Sequence, residues 1–237
     1  MKKGGSPVKK VLVVEDDADL SLITALNLVK QGYQVDQAYT CKQARQLLGE
    51  NVYDVILLDV VLPDMQGTQL CAAIRSECDC PIIFMSCLSD SEVIITALKN
   101  GGDDYMIKPI DYDVLSVRID AIMRRMQRAE LRPEQEKDDG VRRFCSFDVD
   151  TRYRRVIRAG QEVDLSSIEY SLLAYMMDNP DVLLLYHDLY KQVWGNDSLG
   201  DTRTVMVHIS NLRKKLDPDR RGIIATVRGA GYIFTDV

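Results

Sequence analysis

Histidine is nearly absent from this chain of 237 residues: only His187 and His208 occur, and there is a single tryptophan. That scarcity argues against a catalytic dyad or metal site built on several imidazoles. No stretch approaches the roughly 18 apolar residues that a membrane-spanning helix needs, and the charged start at Met1 to Lys10 has no apolar segment behind it. A cytoplasmic protein without membrane contact is expected. The six cysteines (41, 71, 78, 80, 87 and 145) are scattered, and only Cys78 and Cys80 fall close together, with no second pair to complete a zinc site. They read as free thiols. Hydrophobic content of 46% and charged content of 28% are ordinary for globular domains, and the length suits two of them.

The net charge of −6 is unevenly spread. Residues 1–124 carry 12 basic and 18 acidic groups, residues 141–237 carry 14 and 13, and within 202–228 seven Arg/Lys stand against two Asp. An acidic first half with a basic stretch near the C-terminus implies that only the second half meets nucleic acid.

From Val11 to Arg125 short apolar runs alternate with longer amphipathic segments. The runs are Val11–Val14, Val55–Leu58 and Pro81–Met85, with weaker ones at Tyr33–Ala38 and Tyr105–Ile107. Near-continuous apolar strands separated by helices predict a five-stranded, doubly wound parallel α/β domain, whose function belongs at the carboxyl ends of its strands. Residues 127–140 lose this periodicity, become charged and read as a solvated linker. Beyond it, β-like pieces at 144–149, 153–158 and 161–165 precede three helices. Ser166 with Glu169 forms a capping box opening the first, which Asn179-Pro180 closes. The second runs from about Tyr186 to Trp194 and the third from about Thr202 to Leu216, followed by a hairpin at 223–234. This is an α+β module of the winged-helix kind. The expected domains are therefore 8–126 and 141–237, joined by 127–140.

The strand at Val11–Val14 ends in Glu15-Asp16-Asp17, and the strand at Val55–Leu58 ends in Asp59. Three or four carboxylates at one sheet edge repel each other unless a cation lies among them, and a hard, oxygen-seeking ion such as Mg²⁺ (or Mn²⁺) suits them. Solvated strand-end acids are the plainer reading for one pair alone. Ser86 and Lys108-Pro109 end the fourth and fifth strands, adding a hydroxyl and an ammonium at the same edge. Carboxylates, hydroxyl and lysine around one aspartate form a phosphoryl-acceptor site.

Val-Val-Glu15-Asp16-Asp17, Leu-Leu-Asp59-Val-Val-Leu-Pro63-Asp-Met-Gln-Gly67, Met85-Ser86 and Asp103-Asp104-Tyr105-Met-Ile-Lys108-Pro109 resemble a CheY-like receiver domain of the flavodoxin-like fold. The resemblance implies phosphorylation of Asp59, a metal site of Glu15, Asp16, Asp59 and the Val61 carbonyl, and a cis peptide before Pro109. It also implies a switch pair, Ser86 and Tyr105.

In the third C-terminal helix Val205, Ile209, Leu212 and Leu216 recur at helical spacing and should face the core. Arg203, Val207, Ser210, Asn211 and Lys214 fall opposite, a mix suited to a major groove: Asn pairs with adenine, and Val contacts a thymine methyl. An ordinary amphipathic surface helix would have the same pattern. Leu165–Leu173, Val193-Trp194-Gly195, Asp201–Val205 and Thr226–Tyr232 resemble the OmpR/PhoB-type effector domain. That resemblance places the third helix in the major groove and Arg228 in the adjacent minor groove, with His208, Arg213 and Thr226 as phosphate contacts. It also makes Gly195–Asp201 the loop that meets RNA polymerase.

The family's active dimer uses the fourth helix, fifth strand and fifth helix, with charged pairs across a two-fold axis. Asp103, Asp104, Arg118 and Arg125 match those positions, whereas Ile94 and Val114 stand where an ion pair is usual. An aliphatic contact between Ile94 and Val114 across the dimer is the expectation. Cys87, beside Ser86, is read as a small packing residue, with a redox input as its alternative.

Together these readings imply a two-component transcription factor. A sensor histidine kinase phosphorylates Asp59, and the chain then forms a homodimer on double-stranded promoter DNA. It is not expected to be an enzyme beyond self-phosphorylation and autodephosphorylation at Asp59. A phosphoaspartate phosphatase needs a second acid two residues after the nucleophile, where this chain has Val61. A constitutive DNA-binding regulator under other control, thiol redox included, is the remaining alternative.

Overall fold

The computed structural model describes residues 8–75, 77–130, 140–195, 202–218 and 222–235. The chain divides into two compact units, 1–119 and 120–237. The expected linker lies largely outside the described residues, as do most of Gly195–Asp201.

The first unit alternates strand and helix: β1 (Lys10–Val14), α1 (Ala18–Lys30), β2 (Gln34–Ala38), α2 (Cys41–Glu50), β3 (Val55–Leu58), α3 (Gly67–Ile74), β4 (Ile82–Ser86), α4 (Ser91–Lys99), β5 (Asp104–Ile107) and α5 (Tyr112–Glu130), the last of which runs on past residue 119. All strands run parallel in the order β2-β1-β3-β4-β5. The β3 and β4 residues are buried throughout, because helices cover both faces of the sheet. Register then fixes the functional edge. Val14 pairs with Leu58, so Glu15 and Asp59 leave the sheet side by side; Ser86 pairs with Ile107, so Lys108 emerges next to Ser86. The order reverses between β1 and β3, the crevice where open α/β sheets bind ligands.

The second unit opens with β6 (Val141–Arg143), β7 (Asp148–Asp150), β8 (Arg155–Arg158) and β9 (Gln161–Val163), an antiparallel sheet in chain order. The expected strand over 144–149 is broken. A bend at residues 145–146 interrupts it; Phe144 N–H donates to the Phe147 carbonyl across that bend, and the two rings pack 5.0 Å apart. Helices α6 (Ser167–Met177), α7 (Tyr186–Trp194) and α8 (Arg203–Leu216) follow, then the hairpin β11 (Ile224–Val227) and β12 (Gly231–Phe234). A two-residue strand, β10 (Leu184–Leu185), pairs with β12 and is too short to show a period in sequence. Trp194, Tyr190, Leu172, Leu173, Ile209, Leu212 and Phe234 lie in one core.

Three expectations about the dimer face need correction. Ile94 is fully buried on the inner face of α4, so it is a core residue and not available to meet Val114 across a two-fold axis. Asp104 and Arg118 are buried and paired with each other, and Asp103 is buried and paired with Arg75. These charges serve the interior of the domain. Val114 is half-buried, and the Arg125 side chain lies outside the described residues.

Candidate phosphoacceptor site and nucleic-acid interface

Backbone pairing assembles the acidic pocket. Asp59 N–H donates to the Val14 carbonyl and Glu15 N–H to the Ala38 carbonyl, each at 2.9 Å, which locks the two acids at adjacent strand ends. Asp59 lies in the pocket floor at 6% exposure and Asp16 is exposed; ligand atoms of Glu15, Asp16 and Asp59 all fall within 4.8 Å of one another. Asp17 is otherwise engaged. Its carboxylate accepts from Asp19 N–H and Leu20 N–H, capping α1, so three carboxylates and not four face the pocket.

Lys108 Nζ donates to both Glu15 Oε2 and Asp59 Oδ2. Burial opposes its charge, but the Asp59 and Glu15 carboxylates outweigh burial and raise its pKa. Glu15 goes the other way from a normal paired acid: burial lifts its carboxyl above the usual range despite Lys108, and Asp59 and Asp16 lift it further. One ammonium therefore leaves the cluster short of positive charge. Three hard oxygen ligands with that deficit fit a divalent ion of the Mg²⁺ type.

Asp59 is held from the opposite side too. Val61 N–H donates to its Oδ1 at 3.0 Å, and the loop 60–66 ends where Gly67 N–H donates to the Val60 carbonyl. A Cβ at Gly67 would lie 1.9 Å from the Asp59 carbonyl oxygen, so only glycine lets α3 start this close. Ser86 and Tyr105, both buried, meet at Leu88: Leu88 N–H donates to Ser86 Oγ at 3.4 Å, and Tyr105 Oη donates to the Leu88 carbonyl at 2.7 Å. The Lys108-Pro109 peptide is cis. Cys87 is exposed.

In the second unit, Ser166 and Glu169 form the expected capping box at the start of α6. The buried Glu169 also accepts from Lys215 Nζ at 2.7 Å, tying α8 to α6. Val205, Ile209, Leu212 and Leu216 face the core as their spacing predicts. Two expected DNA contacts do not face outward. Val207 and His208 are buried at 4% and 3%, with the His208 ring 5.7 Å from Trp194. Because α8 packs on both α6 and α7, it buries more of its circumference than an apolar stripe of four reveals.

The open side of α8 carries Met206 and Lys214, exposed, with Arg203, Ser210 and Asn211 half-buried. Met206 was missed by sequence reasoning, although its position three after Arg203 and four before Ser210 puts it in that stripe. Arg213 lies over the Tyr232 ring, and its guanidinium donates to the Ile224 carbonyl and to Thr226 Oγ1, bracing α8 against β11. Thr226 is exposed beside it, and Arg228 is exposed in the turn joining β11 to β12. An exposed polar helix face beside an arginine-tipped hairpin can contact major-groove edges and the neighbouring backbone.

Comparison with known proteins matches residues 11–120 to the response regulator receiver domain and residues 160–234 to the C-terminal domain of transcriptional regulatory proteins. The chain is 34% identical over 230 residues to Probable transcriptional regulator ycf27 of Guillardia theta, covering 95% of this chain and 90% of that protein. It is 34% identical over 226 residues to response regulator ArlR of Staphylococcus aureus, covering 95% and 99%. Among solved structures, a RitR mutant aligns with a TM-score of 0.72 and 27% identity, covering 97% of this chain and all of the other. Response regulator DrrB of Thermotoga maritima, an OmpR/PhoB homolog, aligns with a TM-score of 0.50 and 27% identity over 96% and 99%.

Proposed function

The chain belongs to the response regulators that join a receiver to a winged-helix DNA-binding domain, and from this premise we propose that phosphorylation of Asp59 by a sensor histidine kinase controls its binding to promoter DNA. The observation that carries the proposal is Lys108 held between Asp59 and Glu15. In the transfer, the phosphorus–nitrogen bond of a phosphohistidine breaks, an Asp59 carboxylate oxygen takes the phosphoryl group, and the departing imidazole takes up a proton. Lys108 then exchanges its Asp59 bond for a phosphoryl oxygen, and Ser86 Oγ turns from Leu88 N–H to donate to another. Leu88 is shared with Tyr105, so this rotation passes to the β4–α4 loop.

Glu15, Asp16, Asp59 and the Val61 carbonyl would hold Mg²⁺ or Mn²⁺. When bound, the ion neutralises the charge that builds on the transferring phosphoryl oxygens. No other catalysis is proposed beyond self-phosphorylation and autodephosphorylation at Asp59. Helix α1, which starts directly after Asp17, exposes Leu22, Ile23, Leu26 and Val29, each about half accessible. An apolar stripe so close to the acceptor suits a docking phosphodonor protein.

On the DNA side, Arg203, Met206, Ser210, Asn211 and Lys214 supply groove and phosphate contacts, Arg228 reaches the minor groove, and Thr226 lies near the backbone. Homodimerisation on activation, contact of the Gly195–Asp201 loop with RNA polymerase and a cytoplasmic location complete the proposal. Among the described residues no helix is long and apolar enough to cross a membrane.

Gel filtration and operator-library binding test this, with and without a small-molecule phosphodonor and Mg²⁺, comparing the parent with Asp59→Ala. Donor-dependent dimerisation and tighter DNA binding, both lost in Asp59→Ala, are expected. Equal binding under all four conditions would establish a constitutive regulator instead.

A further inference from the structure

The segment between α3 and β4 carries two cysteines that phosphoryl transfer does not use. Cys78 is half-exposed and Cys80 buried, and Cys80 N–H donates to Cys78 Sγ at 3.1 Å. The Cys80 thiol is turned inward, with its Sγ 3.7 Å from the Pro81 carbonyl oxygen. Arg75 gathers the segment around its guanidinium. Nη1 donates to the carbonyls of Cys78 and Cys80 at 3.4 and 2.6 Å, Nε donates to the Gly101 carbonyl at 2.8 Å, and Nη2 pairs with Asp103.

These contacts make the two sulfurs unlike. The neighbouring Cys80 side chain is the largest influence on Cys78; burial opposes it, and the Cys80 amide and Arg75 add to it, so Cys78 is held down at about 6. The proximity of Cys78 and burial push Cys80 up. Burial, with Asp64 adding to it at Cys41, does the reverse at the other interior cysteines, raising Cys41 to about 11 and Cys71, despite Arg75, to about 12. An accessible thiolate beside a protonated, sheltered thiol is the arrangement of an attacking and a resolving sulfur.

We propose that Cys78 and Cys80 are a peroxide-reactive dithiol that closes to an intramolecular disulfide. The Cys78 thiolate attacks one oxygen of hydrogen peroxide; the O–O bond breaks, hydroxide leaves, and Cys78 becomes a sulfenic acid. The Cys80 sulfur then attacks the Cys78 sulfur. The S–O bond breaks, the Cys80 proton and the hydroxyl leave as water, and the S–S bond forms. Two thiols lose two electrons, which reduce one peroxide to two waters. Closure replaces the Cys80 N–H···S contact and displaces two carbonyls that Arg75 binds, so the reaction also loosens the clamp on Gly101 and Asp103.

The test treats the full-length protein with hydrogen peroxide at neutral pH, alkylates the remaining thiols and examines the Cys78–Cys80 peptide by mass spectrometry, with dimedone present in parallel. The parent should lose two hydrogens from that peptide and resist alkylation until reduced. Cys80→Ser should instead accumulate a dimedone adduct on Cys78, and Cys78→Ser should give neither product. The proposal is overturned if both cysteines of the parent remain alkylatable, if a stable dimedone adduct forms on Cys78 while Cys80 is present, or if exposed Cys87 and Cys145 are oxidised first. The parent measurement stands alone should a serine variant fail to fold.

Discussion

Arg118 Nη1 lies 2.6 Å from Asp104 Oδ2, joining α5 to β5 through an ion pair in which the aspartate side chain is wholly buried and the arginine 9% exposed. Asp104 Oδ1 also accepts from Tyr105 N–H at 2.8 Å. Removing one partner leaves the other charged and desolvated. Arg118→Met should therefore destabilise the receiver by about 3–5 kcal/mol, and Arg118→Met with Asp104→Asn should recover part of that loss. Denaturant titration of each variant measures this. A loss below about 1 kcal/mol in the single variant would mean that the pair is not held inside the domain and remains open to a partner protomer.

Lys108 competes with any bound cation for Glu15 and Asp59. Lys108→Met should raise affinity for Mg²⁺ by roughly tenfold, about 1.4 kcal/mol, because it removes one positive charge from three carboxylates. Phosphoryl incorporation from a small-molecule donor should fall at the same time. Metal titration by calorimetry and phosphoprotein gels separate the two effects. Parallel loss of both would point to a misplaced Asp59.

Gly67 makes a sharper prediction than its place in a loop–helix junction suggests. Gly67→Ala forces its Cβ against the Asp59 carbonyl oxygen, backbone against backbone, so the start of α3 or the acceptor itself has to move. A stability loss of about 1–3 kcal/mol is expected, with Asp59 phosphorylation reduced further than the fraction unfolded accounts for. Phosphorylation measured well below the melting transition is the check.

Much of the acceptor site was legible in sequence because parallel strands end abruptly: Glu15, Asp59 and Lys108 each directly follow an apolar run, Asp16 comes one residue later, Ser86 closes one, and the sheet edge brings them together. Asp17 was not separable from its neighbours, since a cap and a ligand look alike until α1 is placed. Ile94, Val207 and His208 failed for a different reason. A helix buries whatever its neighbours cover: α8 packs on α6 as well as α7, and α4 lays Ile94 with Ala97 and Leu98 on its buried face. Cys78 and Cys80 were visible as a pair, but Arg75 and the inequality of the two sulfurs required the fold.

The two faces of α8 can be separated experimentally. Lys214→Ala should weaken DNA binding almost uniformly across sequences and lower the salt dependence by about one unit of slope, as expected for one phosphate contact. Asn211→Ala should cost about 1–3 kcal/mol and relax the preference at one base pair. Val207→Ala should lower the stability of the C-terminal domain by about 2 kcal/mol and leave the base preference of the folded fraction unchanged, since its side chain lies inside. Binding measured across an operator library at two salt concentrations, together with thermal unfolding, distinguishes all three. A changed base preference in Val207→Ala would return that residue to the groove.

Cys78 provides a pH signature independent of peroxide. Only the thiolate is nucleophilic, so its alkylation by iodoacetamide should rise with pH through a midpoint near 6 and level off by neutrality. The Cys80 side chain is the largest source of that depression, so Cys80→Ala should move the midpoint upward and slow the reaction at pH 6.5 several-fold. Burial is then the largest remaining influence and opposes the backbone amide at position 80 and Arg75, so the midpoint should lie well above 6. Peptide-resolved alkylation rates between pH 5 and 8, with Cys145 followed in the same samples, decide the matter. A midpoint unchanged by Cys80→Ala would assign the depression to Arg75 and the backbone, and would remove the Cys80 side chain from the account of why this cysteine reacts.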